Sequence, residues 1–429
     1  MLLRIAALAA FAAMSCLPAT AWSQQPPRGQ LTLDEAFTRV ASAHPDLRLF
    51  GARTDALLAE RDQASLKPAL RVGLEVENAL GSGPMRGFDA AGITLGLAGV
   101  LERGGQLDAR QALAQARIDA LAVQRQAQRL DLLAETARRY LAVAAAQSRA
   151  DIDRQDIEQR RRTVAAARHR LQAGASPESV LLAAEAGLAN AGLALERSLY
   201  QEQSALRHLA ALWGQRDPDF ILVATDPLRL PAIASLAQLT AHLQDTPELV
   251  RFVDEQRIGE ARLQLARSAA RADLDWQFGV RRLQDGGDTA LVAGVSLPLG
   301  GTRRAQPEID AARTALEMLG IERESLDLAL YSTLVDAHGR FGLAQLEVRH
   351  LADEVLPRLA RAERAAERAY RAGATSYLEW AQLQSERTDM QRTQLESALQ
   401  AHLAFIEIQR LTGQPFLAHD QANARGTPP

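Results

Sequence analysis

The chain has 429 residues, 47% of them hydrophobic but only 4% aromatic, with one cysteine and a formal net charge of −3. That near-neutral balance excludes the basic surplus of a nucleic-acid binder, and a single thiol excludes an internal disulfide framework. Abundant alanine, leucine, glutamine, arginine and glutamate suit long helices and coiled coils better than two or three compact domains.

The chain opens MLLRIAALAAFAAMSCLPATAWSQQ. Arg4 supplies a positive start, Ile5 to Ala13 an apolar stretch, and Pro18 precedes Ala19-Thr20-Ala21, the pattern of a secretory signal over 1–23. Cleavage is expected after Ala21 or Ser23. Two fates stay open for Cys16: loss with the signal, or lipidation if AMSC is read as a lipobox. No later segment reads as long and apolar enough for a membrane helix of about 20 residues. Export without a helical anchor leaves the periplasm, the outer membrane or the medium.

Next come two alternating segments, near 69–80 and 91–102. Leu70, Val72, Leu74, Val76 and Leu80 oppose Arg71, Glu75 and Glu77; Ile93, Leu95, Leu97 and Leu101 alternate with small or polar residues. Such strands fit a transmembrane barrel or a half-buried soluble sheet. Four strands cannot close a barrel, and open edges in lipid leave backbone groups unpaired, so a barrel reading requires eight strands from a dimer or twelve from a trimer.

A very long helix is expected over 105–172. Leu113, Ala116, Ala120, Val123, Ala127, Leu130, Ala134, Ala137, Leu141, Ala144 and Ser148 alternate steps of three and four, a coiled-coil seam. At 1.5 Å per residue the helix reaches about 100 Å, more than a compact domain needs. It breaks at AGASPES, where Gly174 suits a left-handed C-cap, Ser176 an N-cap and Pro177 a first turn. A return helix over 177–213 follows, then a linker, DPDFILVATDPLRLPA, that breaks the helical pattern.

The plan then repeats. Gly373 echoes Gly174, Gly413 echoes Gly214, TPEL echoes HPDL, and PLGG echoes ERGG. Strands are expected near 273–283 and 290–299, with Leu274, Trp276, Phe278 and Val280 against Asp275, Gln277 and Arg281. A second long helix over 303–371 carries the seam Ile309, Ala312, Leu316, Leu319, Leu326, Leu330, Leu334, Ala337, Phe341, Ala344, Val348, Leu351 and Val355, interrupted by Arg323. Its tip, AGATSYLE, sets Ser376 and Glu379 at capping-box spacing, and the return helix runs over 376–412. A period this long is a two-fold tandem of a large unit rather than a solenoid. The expected layout is therefore a first unit over 24–235, a second over 236–413 and a flexible tail over 414–429.

No nucleotide loop, nucleophile elbow or zinc-peptidase pattern occurs, and no two of the eight histidines share an i, i+4 spacing. An enzyme is not expected, nor a cofactor or a bound metal. Glu75, Glu77 and Asp275 share the polar strand face with Arg71 and Arg281; in a barrel lumen, repetition by oligomerisation would make either acidic rings that favour cations or a field that the two arginines largely cancel. Near the breaks, Arg160, Arg161, Arg162, Arg168 and Arg170 in one copy and Arg364, Arg368 and Arg371 in the other intersperse with Glu158, Glu363 and Glu367. Inter-helix ion pairs that close an entrance, or a plain solvated surface, would account for them.

The order of LTLDEAFTRVASAHPDL, the duplicated strand-pair-and-long-helix plan, the two AGA(S/T) tips and the endings LAALWG and IEIQRLTG resembles the TolC family of outer-membrane efflux channels. PALRVGLEVENALGSG followed by GITLGLAGVLERGGQLDAR is similar to its cobalt–zinc–cadmium resistance branch. The resemblance implies a mostly α fold with a small transmembrane β part. A homotrimer would build a coiled-coil α-barrel across the periplasm and a twelve-stranded β-barrel in the outer membrane of a Gram-negative bacterium, four strands per chain. It also implies an equatorial region including 214–245. At the tips, Gly174, Ala175 and Ser176, with Gly373, Ala374, Thr375 and Ser376, would dock a periplasmic adaptor (a membrane fusion protein) that leads to an inner-membrane pump of the RND type. The expected function is passive export of heavy-metal cations. Two alternatives stay open: a duct for drugs, organic compounds or secreted polypeptide, and a periplasmic coiled-coil scaffold or adaptor without a barrel.

Overall fold

A computed structural model describes residues 29–223 and 225–416. The expected signal over 1–23, with Cys16, and residues 417–429 of the tail lie outside the described residues.

The architecture is a set of parallel rods with a small sheet at one end and two helical hairpin tips at the other. The short β1 (Gly29–Leu31) leads into α1 (Leu33–Ala43), capped by the Thr32 hydroxyl, which accepts from the Glu35 amide at 3.2 Å. α2 (Pro45–Ala64) begins at the HPDL signature, with Pro45 in the first turn, where a missing N–H is harmless. β2 (Arg71–Glu77) and β3 (Gly92–Leu101) then form a hairpin. β2 stops short of the expected span because Asn78 and Leu80 take left-handed φ values of 57° and 60°.

α3 (Gln106–Gln172) is one unbroken helix of 67 residues, about 100 Å long, and α4 (Glu178–Ala210) returns along it. After β4 (Phe220–Leu222) and the short α5 (Leu236–Ala241), α6 (Pro247–Ser268) starts at the TPEL echo, again with proline in its first turn. β5 (Leu274–Leu283) and β6 (Thr289–Ser296) form the second hairpin. The second rod is α7 (Gly301–His350) and α8 (Leu356–Ala372), joined by a π turn over Leu351–Val355. Pro357 accounts for the turn: its ring would clash with the carbonyl four residues back, and it has no N–H to give. α9 (Tyr377–Thr412) returns to mid-height.

The seams close as coiled-coil packing requires. Ile309, Ala312, Leu330, Leu334, Ala337, Phe341, Ala344, Val348 and Leu351 are buried, and Leu316, Leu319, Leu326 and Val355 half-buried. Arg323, the interruption, reaches out to Gln244 at 3.0 Å.

Two mid-height cores brace the rods. In one, β1 pairs in parallel with β4, and Leu31, Val40, Tyr140, Val143, Leu209 and Phe220 pack together. In the other, Leu239, Leu243 and Leu249 pack on Leu334, Phe341 and Ile408. Sequence reading left β1 and β4 unassigned, since three-residue strands carry no periodicity.

At the sheet end the rods and strands are pinned together. The Asp273 carboxylate accepts from the Arg103 amide and the Gln106 side chain, both at 3.0 Å. Arg110 pairs with Glu102, whose hydrogen bond holds the guanidinium above its ordinary value. Gly104 takes φ 75° in the ERGG turn, and a Cβ there would sit 2.6 Å from the Ser268 carbonyl. Only glycine meets both demands.

Candidate functional site: the sheet faces and the helical tips

β2, β3, β5 and β6 form one antiparallel sheet in that order, so β2 and β6 are its free edges. Residues in register across an antiparallel sheet share a face. One row joins Leu74, Leu95, Val280 and Leu291, and the next joins Val72, Leu97, Phe278 and Ala293. This apolar face has no cover: Val72 is 75% exposed, Leu74 69%, Phe278 58% and Leu291 87%. Trp276 stands at its helix-side margin, 5.7 Å from the Phe278 ring. A sheet that leaves so much contiguous apolar surface open is built to face lipid or another apolar surface.

The opposite face is polar and low. Gly73, Gly96 and Gly279 lie in register and leave a strip without side chains. Beside it run rows joining Arg71 to Gln277 through Ala98, and Glu75 to Arg281 through Thr94. Arg281 is already satisfied: it pairs with Glu77 at 2.6 Å and donates to the Thr94 hydroxyl at 2.9 Å. Asp275 lies on the same face in register with Val100 and Ser296, at the helix-side end. Of the five singled-out charges, the structure brings Glu77 and Arg281 into contact and leaves Arg71, Glu75 and Asp275 without an ion pair among the described residues.

At the far end both hairpins turn by the same device. The amides of Gly174 and Ala175 donate to the carbonyls of Leu171 and Arg170, and those of Gly373 and Ala374 to Tyr370 and Ala369. These are paired Schellman closures, with Gly174 at φ 68° and Gly373 at φ 80°. The next caps differ from expectation. Pro177, not Ser176, occupies the N-cap of α4, with no side-chain hydrogen bond: in both tips the cap stands three residues after the glycine, and here that position is proline. Ser376 does cap α9, accepting from the Glu379 amide at 3.2 Å. Glu379 does not complete the box; its carboxylate takes the Thr375 hydroxyl instead. Gly174, Ala175, Gly373, Ala374 and Ser376 are exposed, and Ser176 and Thr375 half-buried.

Arg170 links the tips, donating to the Tyr370 carbonyl and, at 3.1 Å, to that of Ala175, with its guanidinium 4.9 Å from the Tyr370 ring. Among the described residues, the other tip charges that pair do so within a helix or within one hairpin, and none between the two hairpins. Arg161 pairs with Glu158 and Arg371 with Glu367 along single helices, where three- and four-residue spacing makes the local partner nearest. Arg168 pairs with Glu185 and Glu363 with Arg387, each inside one hairpin. Arg162, Arg364 and Arg368 form no ion pair among the described residues.

What joins the hairpins is a buried polar ladder between α3 and α9. Asp153, 1% exposed, accepts from Arg392 at 2.6 Å and from Ser198. Asp156 accepts from Arg160 at 3.2 Å and Thr388 at 3.3 Å; Arg160 also reaches Ser385 at 3.0 Å, and Thr163 reaches Gln384 at 3.1 Å. Burial opposes the charge on Arg392, but Asp153, Asp389 and Asp156 together hold its guanidinium above the ordinary value. Sequence reading missed this ladder: Asp153, Asp156, Arg160 and Thr163 keep a three-and-four spacing among themselves, but a step of five separates them from Ser148, the end of the α3 seam.

One further departure concerns α4 and its short 3₁₀ extension. Glu178–Trp213 contains an 18-residue window of mean hydropathy 1.2, apolar enough to cross a membrane, with 11% of it buried. The sequence reading expected none; around Glu185, a run of leucines and alanines raises the mean. One side of this helix packs on α3, while Leu182, Leu193, Leu199 and Tyr200 stay exposed.

Residues 38–215 match the family described as Outer membrane efflux protein. The chain is 25% identical over 291 residues to the cobalt-zinc-cadmium resistance protein CzcC of Cupriavidus metallidurans, covering 66% of this chain and 68% of the relative. Among solved structures, CusC superposes with a TM-score of 0.73 at 17% identity, covering 89% of this chain and 92% of that one. A membrane protein from Pseudomonas aeruginosa gives 0.73 at 19%, covering 95% and 97%. The Campylobacter jejuni CmeC outer membrane channel gives 0.70 at 14%, covering 92% and 88%. The fold is that of TolC-like outer-membrane channels, and the efflux family is one of transport ducts. The matched family is one of outer-membrane proteins, and the CmeC neighbour is an outer-membrane channel.

Proposed function

We propose that this chain is the outer-membrane duct of a tripartite efflux system, closed only when three copies join. The observation that carries this is the uncovered apolar face on a four-stranded sheet with two free edges, at one end of rods about 100 Å long. Joining β6 of one copy to β2 of the next turns three sheets into a closed twelve-stranded barrel, which leaves no unpaired backbone in lipid. The exposed side of α4 is then covered by a neighbouring rod. The two units, 24–235 and 236–413, each contribute one strand pair and one hairpin to the wall.

In this reading the polar sheet face lines the lumen, with Arg71, Glu75, Glu77, Asp275 and Arg281 on it. The tips, Gly174 to Ser176 and Gly373 to Ser376, receive the periplasmic adaptor, which connects to an RND-type inner-membrane pump. The duct does no chemistry and supplies no energy. The cargo we assign is heavy-metal cations, on the likeness to CzcC. A second reading, a duct for drugs or other organic compounds, draws on the Arg281–Glu77 pair, which neutralises two of the five charges on that face.

Deleting the gene and measuring tolerance to zinc, cobalt and cadmium against dyes and detergents tests the cargo. Lost metal tolerance supports the first reading; unchanged metal tolerance with lost dye tolerance overturns it in favour of the second.

A further inference from the structure

Arg281 and Arg282 are neighbours on β5 and therefore point to opposite faces of the sheet. Arg281, on the polar face, is bound by Glu77 and Thr94. Arg282 lies in register with Ile93 and Thr289, in the column that continues through Val280 and Phe278 on the apolar face. Its side chain is exposed, and its guanidinium has no ion pair or hydrogen bond among the described residues. Asp285 and Asp288 stand in the same turn, yet neither pairs with it.

The height of Arg282 is fixed by the strand. β5 runs from Leu274 at the helix end to Leu283 at the loop end, and Trp276 and Arg282 are six residues, about 20 Å, apart along it. Trp276 marks the periplasmic margin of the apolar band, as aromatic residues do at membrane–water interfaces. Arg282 therefore emerges at the opposite margin, the outer leaflet. A guanidinium in the hydrocarbon is strongly disfavoured, but one at the headgroup level is not, and its planar fork matches phosphate oxygens two at a time. The headgroup of that leaflet is a phosphorylated glycolipid, the lipid A of lipopolysaccharide.

We infer that Arg282 is a lipid A phosphate-binding residue on the outer wall of the barrel. This rests on the reading that the apolar face meets lipid. Three copies would carry three such contacts, spaced around the rim, which fix the height of the barrel in the membrane.

The test uses the full-length protein purified in detergent, titrated with lipid A bearing both phosphates and with the same lipid dephosphorylated. The wild type is expected to bind the phosphorylated lipid about tenfold more tightly, the effect of a charge-assisted contact. Arg282→Ala and Arg282→Glu are expected to lose that preference, and Arg282→Lys to keep part of it. Excess inorganic phosphate is expected not to compete. A wild-type preference retained in Arg282→Ala, or full displacement by inorganic phosphate, overturns the inference. Brominated phospholipid separates this from the premise: quenching that disappears in Trp276→Phe shows that the face meets lipid. If Trp276 is quenched and Arg282→Ala keeps the preference, the inference alone fails; if Trp276 is not quenched, the premise fails with it.

Discussion

The two ends of the molecule invert each other. The sheet leaves Val72, Leu74, Phe278 and Leu291 open, residues a soluble protein would bury. Toward the tips, the rods bury Asp153, Asp156, Gln384 and Thr388, residues a soluble surface would display. In the proposed duct, both arrangements follow from what each end is next to. Lipid cannot hydrogen-bond, so an apolar face there is already satisfied. Between the hairpins, polar groups satisfy one another in one register and in no other, so the ladder specifies how the hairpins pair rather than merely how strongly.

Breaking the ladder is expected to have the largest effect. Asp153→Leu leaves the half-buried Arg392 with only Asp389 and removes the acceptor of Ser198, and should cost about 3–5 kcal/mol of local stability, read as hydrogen exchange in α3 and α9. Adding Arg392→Met should recover most of it. If the single variant exchanges like the wild type, the ladder is decoration.

The sheet end gives the converse. Phe278→Arg puts a charge on the apolar face and should cost about 2–4 kcal/mol in folding into vesicles, whereas Gln277→Arg, one residue along on the polar face, should cost little. Equal effects would mean that the two faces meet the same solvent.

The tips rank next. Gly174→Val and Gly373→Val force a β-branched residue into left-handed backbone, at about 1–2 kcal/mol each. Adaptor binding, followed by pull-down with the adaptor hairpin, should fall while the trimer survives in mild detergent. Normal binding by both variants would remove the tips from the docking surface.

The smallest effect belongs to mid-height. Burial pushes the Tyr140 hydroxyl above the ordinary tyrosine value of about 10. The folded state therefore holds that proton where the unfolded chain releases it, so this contribution is full below pH 10 and is lost as pH rises further. Tyr140→Phe should flatten the fall in melting temperature above pH 10; an unchanged slope would place the alkaline loss elsewhere.

Much of this was legible in the sequence for a physical reason. Coiled-coil seams and amphipathic strands are periodic, and Ile309 to Leu351 or Leu291 to Val295 declare their faces by spacing alone. What was not legible depends on partners far along the chain. The pairing of Gly29–Leu31 with Phe220–Leu222 has too few residues to show a period. Asp153 reads as a surface charge until Arg392, on another hairpin, is known to meet it. The π turn at Leu351–Val355 was signalled by Pro357, which a seam-based reading passes over because the apolar spacing continues. Among the singled-out charges, Arg281 and Glu77 met across β3, a contact that strand order decides and local sequence does not.

The most direct test of the central claim is a cysteine scan of β6 in the native outer membrane, made simple by a sequence whose one cysteine is Cys16. Positions 290 to 296 would each be replaced and labelled with a lipid-soluble and a water-soluble thiol reagent. A lipid-facing barrel wall predicts a period of two: Leu291, Ala293 and Val295 labelled from lipid, and Ala290, Val292, Gly294 and Ser296 from water. Uniform labelling from water would contradict it.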